Sequence, residues 1–153
     1  MIVKASPDHI LYVCQHLRED DRREILLSRW NDDLSELAES FCIAPGSRFA
    51  VLREGIPVCA FGVAPALPGV GQAWLIGTDE IGSCGVEVAH ACKTVVRTLL
   101  DGYMHRIQAY SAGFHAQAHR WLELLGFSRE SRMCRFGKDG TDFFCYVICK
   151  PYS

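Results

Sequence analysis

Two carboxylates stand side by side at Asp79 and Glu80, between a β-prone run, Gln72–Thr78, and a turn with two glycines, Ile81-Gly82-Ser83-Cys84-Gly85-Val86. A second β-prone run ends in Tyr110 and Ser111, and His115 stands just ahead of a helical stretch. Carboxylates and imidazole accept or hold protons near neutral pH, and a phenol or hydroxyl donates one. Bare N–H groups on a turn at a helix start attract anions. Cys84 stands near that helix start, where a thiol pKa falls. Each residue also has a plainer reading: loop carboxylates, a capping histidine, a helix-capping turn, an incidental thiol.

Nothing in the spacing points to a metal. The eight cysteines include no Cys-x-x-Cys pair, and no His/Cys group has zinc-finger spacing. Most sit in apolar runs such as Val13-Cys14, Phe41-Cys42, Val58-Cys59 and Ile148-Cys149. That context suits buried free thiols acting as small hydrophobes. The opening residues, Met-Ile-Val-Lys-Ala-Ser-Pro-Asp, lack a secretory apolar region. The expected compartment is therefore a reducing cytoplasm.

The elements that must position these residues emerge from periodicity. A short alternating strand over 1–5 precedes Ser6-Pro7, a cap followed by proline at the first helical position. Ile10, Leu11, Cys14 and Leu17 then repeat at helical spacing. The charge run Arg18–Arg23 reads as a solvated helix junction, and Asn31 as the cap of a helix carrying Leu34, Leu37, Ala38 and Phe41. The period then changes. Phe49–Leu52 and Val58–Phe61 are β-type runs about a Glu54-Gly55 turn, Ala64–Val70 reads as a loop, and Gln72–Thr78 is a third strand. The three make an antiparallel meander. Val88, Ala89, Cys92, Val95, Val96, Leu99 and Leu100 mark an amphipathic helix over about 86–100. With the strand near Ile107–Tyr110 it completes a right-handed βαβ unit. A last helix ends at Gly126, and a hairpin from 133–136 and 143–149 closes the chain.

The chain has 153 residues, 49% of them hydrophobic and 22% charged, with a formal charge of −2. It is expected to be a single domain over 1–153 with its own core. The charge gives no long-range pull toward nucleic acid or anionic lipid. No run approaches the ~20 apolar residues of a membrane span.

The order β-α-α-β-β-β-α-β-α-β-β resembles the GNAT fold of the acyl-CoA N-acyltransferase superfamily. His119-Arg120-Trp121-Leu122-Glu123-Leu124-Leu125-Gly126-Phe127 resembles the superfamily's run from last helix to strand through Leu-Gly-Phe. Leu17–Ile25 and Gly71–Glu80 are similar to a GNAT-like family of tailed bacteriophages that includes the internal virion protein of short-tailed coliphages. The implied fold is α+β: a mostly antiparallel sheet of about seven strands, a parallel V-shaped split between the fourth and fifth, and about four helices.

The resemblance implies acetyl-CoA in that split, with its pantetheine on the backbone of Leu75, Ile76 and Gly77. It puts the pyrophosphate on Gly82, Ser83, Cys84, Gly85 and Val86. The turn keeps two glycines but not the superfamily's Arg/Gln-x-x-Gly-x-Gly/Ala spacing. Lys93 and Arg97 are within reach of a phosphate or are plain solvent-face residues. Asp79 and Glu80 become candidates for the base that takes the amine proton. Leu122 stands where the superfamily usually has a tyrosine acid, so Tyr110, Ser111 and His115 are the substitutes. Two functions stay open. One is an acetyl-CoA-dependent N-acetyltransferase that acts on a primary amine. The other is a degenerate scaffold meeting phage structural proteins, in the host cytoplasm or the virion. Neither nucleic acid nor membrane is an expected partner.

Overall fold

Strand β1 (Ile2–Lys4) leads into helix α1 (Pro7–Gln15), which opens with a reciprocal cap. The Ser6 hydroxyl accepts the His9 N–H at 3.2 Å, and His9 Nδ1 accepts the Ser6 N–H at 3.1 Å. The run Arg18–Arg23 is solvated at Glu19, Asp20, Arg22 and Arg23 but is more than a junction. It forms helix α2 (Glu19–Leu26), and Asp21 within it is only 5% exposed. Helix α3 (Leu34–Ile43) is capped by Asp33, whose Oδ1 accepts from the Ser35 and Glu36 N–H groups. Asn31, the expected cap, instead accepts the Asp33 N–H. Three helices, rather than two, therefore precede the meander.

Strands β2 (Ser47–Arg53), β3 (Ile56–Leu67) and β4 (Val70–Gly77) form that antiparallel meander. Glu54 and Gly55, at φ 52° and 80°, make the expected tight turn. The segment Ala64–Val70 is mostly strand rather than loop, because β3 runs on to Leu67 and turns at Pro68-Gly69. Pro57 and Pro65 lack a ladder donor, and a register shift beside each absorbs the loss.

A 3₁₀ turn (Asp79–Cys84) feeds helix α4 (Gly85–Asp101), followed by β5 (Arg106–Ala112), α5 (Ala116–Leu124), β6 (Ser128–Met133) and β7 (Phe143–Cys149). The last hairpin starts earlier than its sequence suggests. The chain re-enters the sheet right after Gly126-Phe127, and residues 134–142 become a long connection.

The computed structural model describes residues 1–152, and its seven strands form one sheet in the order β1-β2-β3-β4-β5-β7-β6. Alternation along the strands divides the core. Ala60 and Ile76 face α1 and α3, where they meet Ile10, Val13, Cys14 and Leu37. Cys59, Phe61 and Ile107 face α4 and α5, where they meet Val88, Cys92, Val96 and Leu125. Cys14, Cys59, Cys92 and Cys145 are buried and unpaired, as packing thiols should be. Cys134 and Cys149 are exposed, although Cys149 adjoins an apolar run. It is the last residue of β7, past the end of the core.

Candidate active site

The two parallel strands β4 and β5 pair only from Val70–Gln72 to Arg106–Gln108. Beyond that, β4 stays on β3 as far as Gly77, and β5 stays on β7 as far as Ala112. The V-shaped split expected between the fourth and fifth strands is therefore present. Backbone polar groups alternate between the two edges of a strand. The Thr78 N–H donates to Val58 O on β3, so Gly77 and Leu75 present their N–H and C=O groups to the split.

The Gly77 pair is already taken. Its N–H donates to Asp21 Oδ2 at 2.8 Å, and its C=O accepts the Arg18 N–H at 2.8 Å. Across the split, the Ala112 N–H donates to Glu24 Oε1 at 2.6 Å, and the Ser111 hydroxyl donates to the same oxygen at 2.8 Å. Helix α2 thus crosses the wide end of the split with one carboxylate on each strand. Three residues of separation place both side chains on one helix face.

A second set of bonds fixes this bar. Arg18 Nη2 lies 2.9 and 3.0 Å from the two Asp21 oxygens. His115 caps α5 through Nδ1, which accepts the Ala118 N–H at 3.3 Å; Nε2–H then donates to Asp21 Oδ1 at 2.7 Å. Burial pushes the Asp21 pKa up, but His115 and Arg18 outweigh it and hold the carboxyl below its ordinary range. Burial pushes the Glu24 pKa up and wins over His115, Ser111 and the Ala112 amide, so this carboxyl lies above its ordinary value. Burial lowers the His115 pKa, but Asp21 and Glu24 bring it above the ordinary imidazole value. Glu24 Oε2 has no hydrogen-bond partner among the described residues.

A cavity of about 610 Å³ runs through the split. Toward α4 and α5 its wall includes Cys92, Val96, Trp121, Leu122 and Leu125. Toward α2 and α3 it includes Ile25, Phe41, Trp74, Tyr110 and Phe136. The Trp121 Nε1–H is buried with no partner among the described residues.

The expected site residues scatter relative to this cavity. Tyr110, Ser111 and His115 line it, as do Leu75, Ile76, Gly82 and Gly85. The backbone of Ile76 faces β3, so only its side chain lies at the wall. Asp79 and Glu80 are exposed on the 3₁₀ turn and do not line the cavity. Ser83 faces away: its hydroxyl donates to Glu80 O at 2.7 Å and accepts from Arg53 Nη1 at 2.5 Å. Cys84 is half-buried beside it, and Val86 points to solvent. Cys84 caps α4 with no side-chain hydrogen bond, so no side chain covers the first amides of that helix. A Cβ on Gly82 or Gly85 would meet nothing within 4 Å, so the bare backbone there is open rather than crowded. Lys93 and Arg97 line a separate groove with Lys150.

Sequence reasoning missed Asp21 and Glu24. A signal was present, because two acids three residues apart in Leu17–Ile25 share a helix face. It was masked by Asp20, Arg22 and Arg23, which give the run the look of a solvated surface.

The same architecture occurs in solved acetyltransferase structures. An N-acetyltransferase from Staphylococcus aureus Mu50 aligns with a TM-score of 0.78 at 9% identity, over 99% of this chain and 98% of that one. A GNAT-family acetyltransferase from Bacillus anthracis gives 0.75 at 15% identity, over 97% and 93%. The ribosomal-protein-alanine N-acetyltransferase from Brucella melitensis gives 0.74 at 16% identity, over 97% and 99%. The fold is that of the GNAT acetyltransferases, and at these identities the likeness is one of fold. No protein-family model matches the sequence, and no curated protein does.

Proposed function

We propose that the chain is an acetyl-CoA-dependent N-acetyltransferase that acts on a primary amine. The observation that carries this reading is the split itself: a parallel pair opens beside the unpaired Leu75 backbone into a cavity that passes through the sheet. The residues present fit the acyl donor. Leu75 offers a free strand edge, and the first amides of α4 with Gly82 and Gly85 offer an anion seat. Trp121 offers an orphaned N–H. Acetyl-CoA would supply an activated thioester. The Leu75 N–H would donate to its carbonyl oxygen as charge develops there.

Glu24 replaces Asp79 and Glu80 as the proton acceptor in this proposal, because it lines the cavity and they do not. Tyr110 is the proton donor for the leaving thiolate; its hydroxyl accepts from Gln108 Nε2, at 3.2 Å, and its own proton has no acceptor among the described residues. Ser111 and His115 act as positioning residues, Ser111 on Glu24 and His115 on Asp21. Titration with acetyl-CoA tests the proposal. A ligand at 100 times its Kd stabilises the folded state by about 2.7 kcal/mol. Unchanged thermal stability across the titration would overturn it.

The second reading is a scaffold for phage particle assembly in an infected bacterium. It draws support from Leu122, an apolar side chain where the resemblance places a tyrosine, and from the occupied Gly77 amide. It expects unchanged phage growth in Tyr110→Phe and Glu24→Gln mutants and co-purification of the protein with virion components.

A further inference from the structure

We infer that the chamber between β4–β5 and α2–α3 takes a small apolar primary monoamine, with its ammonium group on Glu24; the inference rests on the acetyl-transfer reading and names its acceptor. The supply of charge points to one cation. Asp21 and Glu24 are the two carboxylates that line the cavity. Asp21 is consumed by Arg18, His115 and the Gly77 amide. Glu24 keeps one oxygen free, so the site can neutralise one cation. A second ammonium on the same substrate would lie uncompensated against apolar walls, and the other charged side chains of the lining, Arg18 and Arg120, carry its own sign.

The walls select for an apolar body. Ile25, Phe41, Trp74 and Phe136 present methyls and rings, and the Trp74 and Phe41 rings lie tilted against each other at 4.4 Å between centroids. Aromatic faces favour both alkyl chains and the rim of an ammonium. The polar groups nearby bond to one another. Gln108 Nε2 donates to Gln72 Oε1 and to the Tyr110 hydroxyl, and the Ser28 hydroxyl donates to Ile25 O. A peptide N-terminus would bring several backbone amides, more than the Tyr110 hydroxyl and the Gln72 amide could pair on this wall.

The position of Glu24 suits an acceptor amine. Its Oε1 is pinned to the end of β5 and the residue lines the cavity, so an ammonium on its other oxygen would lie beside the split. An amine held there faces the reacting strand edge from the side opposite α4 and α5.

The test is a thermal-shift panel on the full chain with hexylamine, 2-phenylethylamine, spermidine and an alanine-led tripeptide, with and without acetyl-CoA. The expected result is saturable stabilisation and acetylation with the two monoamines, at least tenfold weaker with spermidine and the tripeptide. In Glu24→Gln the monoamine response falls at least tenfold while the acetyl-CoA response stays. Should that variant fold poorly, Phe136→Ala is the second probe. It is expected to weaken 2-phenylethylamine and leave acetyl-CoA binding intact. Preference for spermidine or the tripeptide, or monoamine binding indifferent to both substitutions, overturns the inference. An acetyl-CoA response without any monoamine response overturns the acceptor alone. Loss of the acetyl-CoA response in the parent chain overturns the acetyl-transfer reading itself.

Discussion

Asp21 and Gly77 lie 56 residues apart in sequence and 2.8 Å apart in space, carboxylate to backbone amide. The bond gives the free edge of β4 a partner from a helix instead of a strand. It also places a charged side chain where burial is otherwise expensive, and Arg18 and His115 join the amide in making that tolerable.

Removing that carboxylate should cost more than an ordinary surface change. Asp21→Ala leaves Arg18, His115 and the Gly77 N–H without their shared acceptor. Breaking one side of a buried ion pair costs about 3–5 kcal/mol. For a chain of this size that lowers Tm by roughly 10 °C. Urea denaturation of Asp21→Ala beside Asp20→Ala checks it, since the exposed neighbour should change little.

The cluster also sets a pH profile. Asp21 has a depressed pKa, so its stabilisation is present above its ordinary value of 3.8 and fades as pH falls through the lower folded value. His115 has a raised pKa, so its contribution is full below 6.5 and fades as pH rises through the higher folded value. Glu24 is also raised, so the folded state loses ground as pH climbs above 4.5. Stability should peak in acid, begin to decline above pH 4.5 through Glu24 and decline further above 6.5 through His115. His115→Gln should flatten the decline above 6.5, and a parent chain with rising stability there would contradict the assignment.

Activity separates Glu24 from Tyr110. Glu24→Gln keeps an acceptor oxygen for Ser111 and Ala112 but cannot take a proton, so kcat/KM should fall by about 10²–10⁴. Tyr110→Phe should lower kcat and leave the acetyl-CoA shift unchanged. Asp79→Asn and Glu80→Gln should stay within twofold of the parent, measured by mass spectrometry of the acetylated amine.

The thiols should divide by exposure. Burial pushes Cys14 and Cys59 up to about 12 and raises Cys92 further. Under native conditions a thiol reagent should label Cys134 and Cys149 quickly, and Cys42 and Cys84 more slowly. Cys14, Cys59, Cys92 and Cys145 should label only on unfolding. Peptide mapping after timed alkylation reads this directly.

How much of this was visible in the residue order differs by element. The apolar spacing of Val88–Leu100 and the glycine at Gly126 were enough to place α4 and the end of α5, because helix period and a glycine at φ 99° are local facts, but the residue pattern sets the strand after α5 too late, at 133–136. The strand through Ala64–Leu67 was hidden, since Pro65 and the adjoining Pro68-Gly69 look like loop and only a register shift against β4 reconciles Pro65 with a sheet. The site was harder still. Asp79 and Glu80 adjoin the right strand but turn outward on the 3₁₀ turn, whereas Asp21 and Glu24 come from a distant segment. Long-range bonds of that kind leave no local mark, and a charged run gives no hint that two of its members are folded inward.

Helix α2 is eight residues long, and Asp21 and Glu24 occupy fixed points on it. Their spacing works as a gauge block: it fixes how far Gly77 and Ala112 stand apart, and so the aperture of the split. Each added residue turns the remainder of a helix by about 100° around its axis. An insertion between the two acids would swing one carboxylate off its strand and release one jaw of the opening. The width of the gap is therefore encoded in neither strand that forms it.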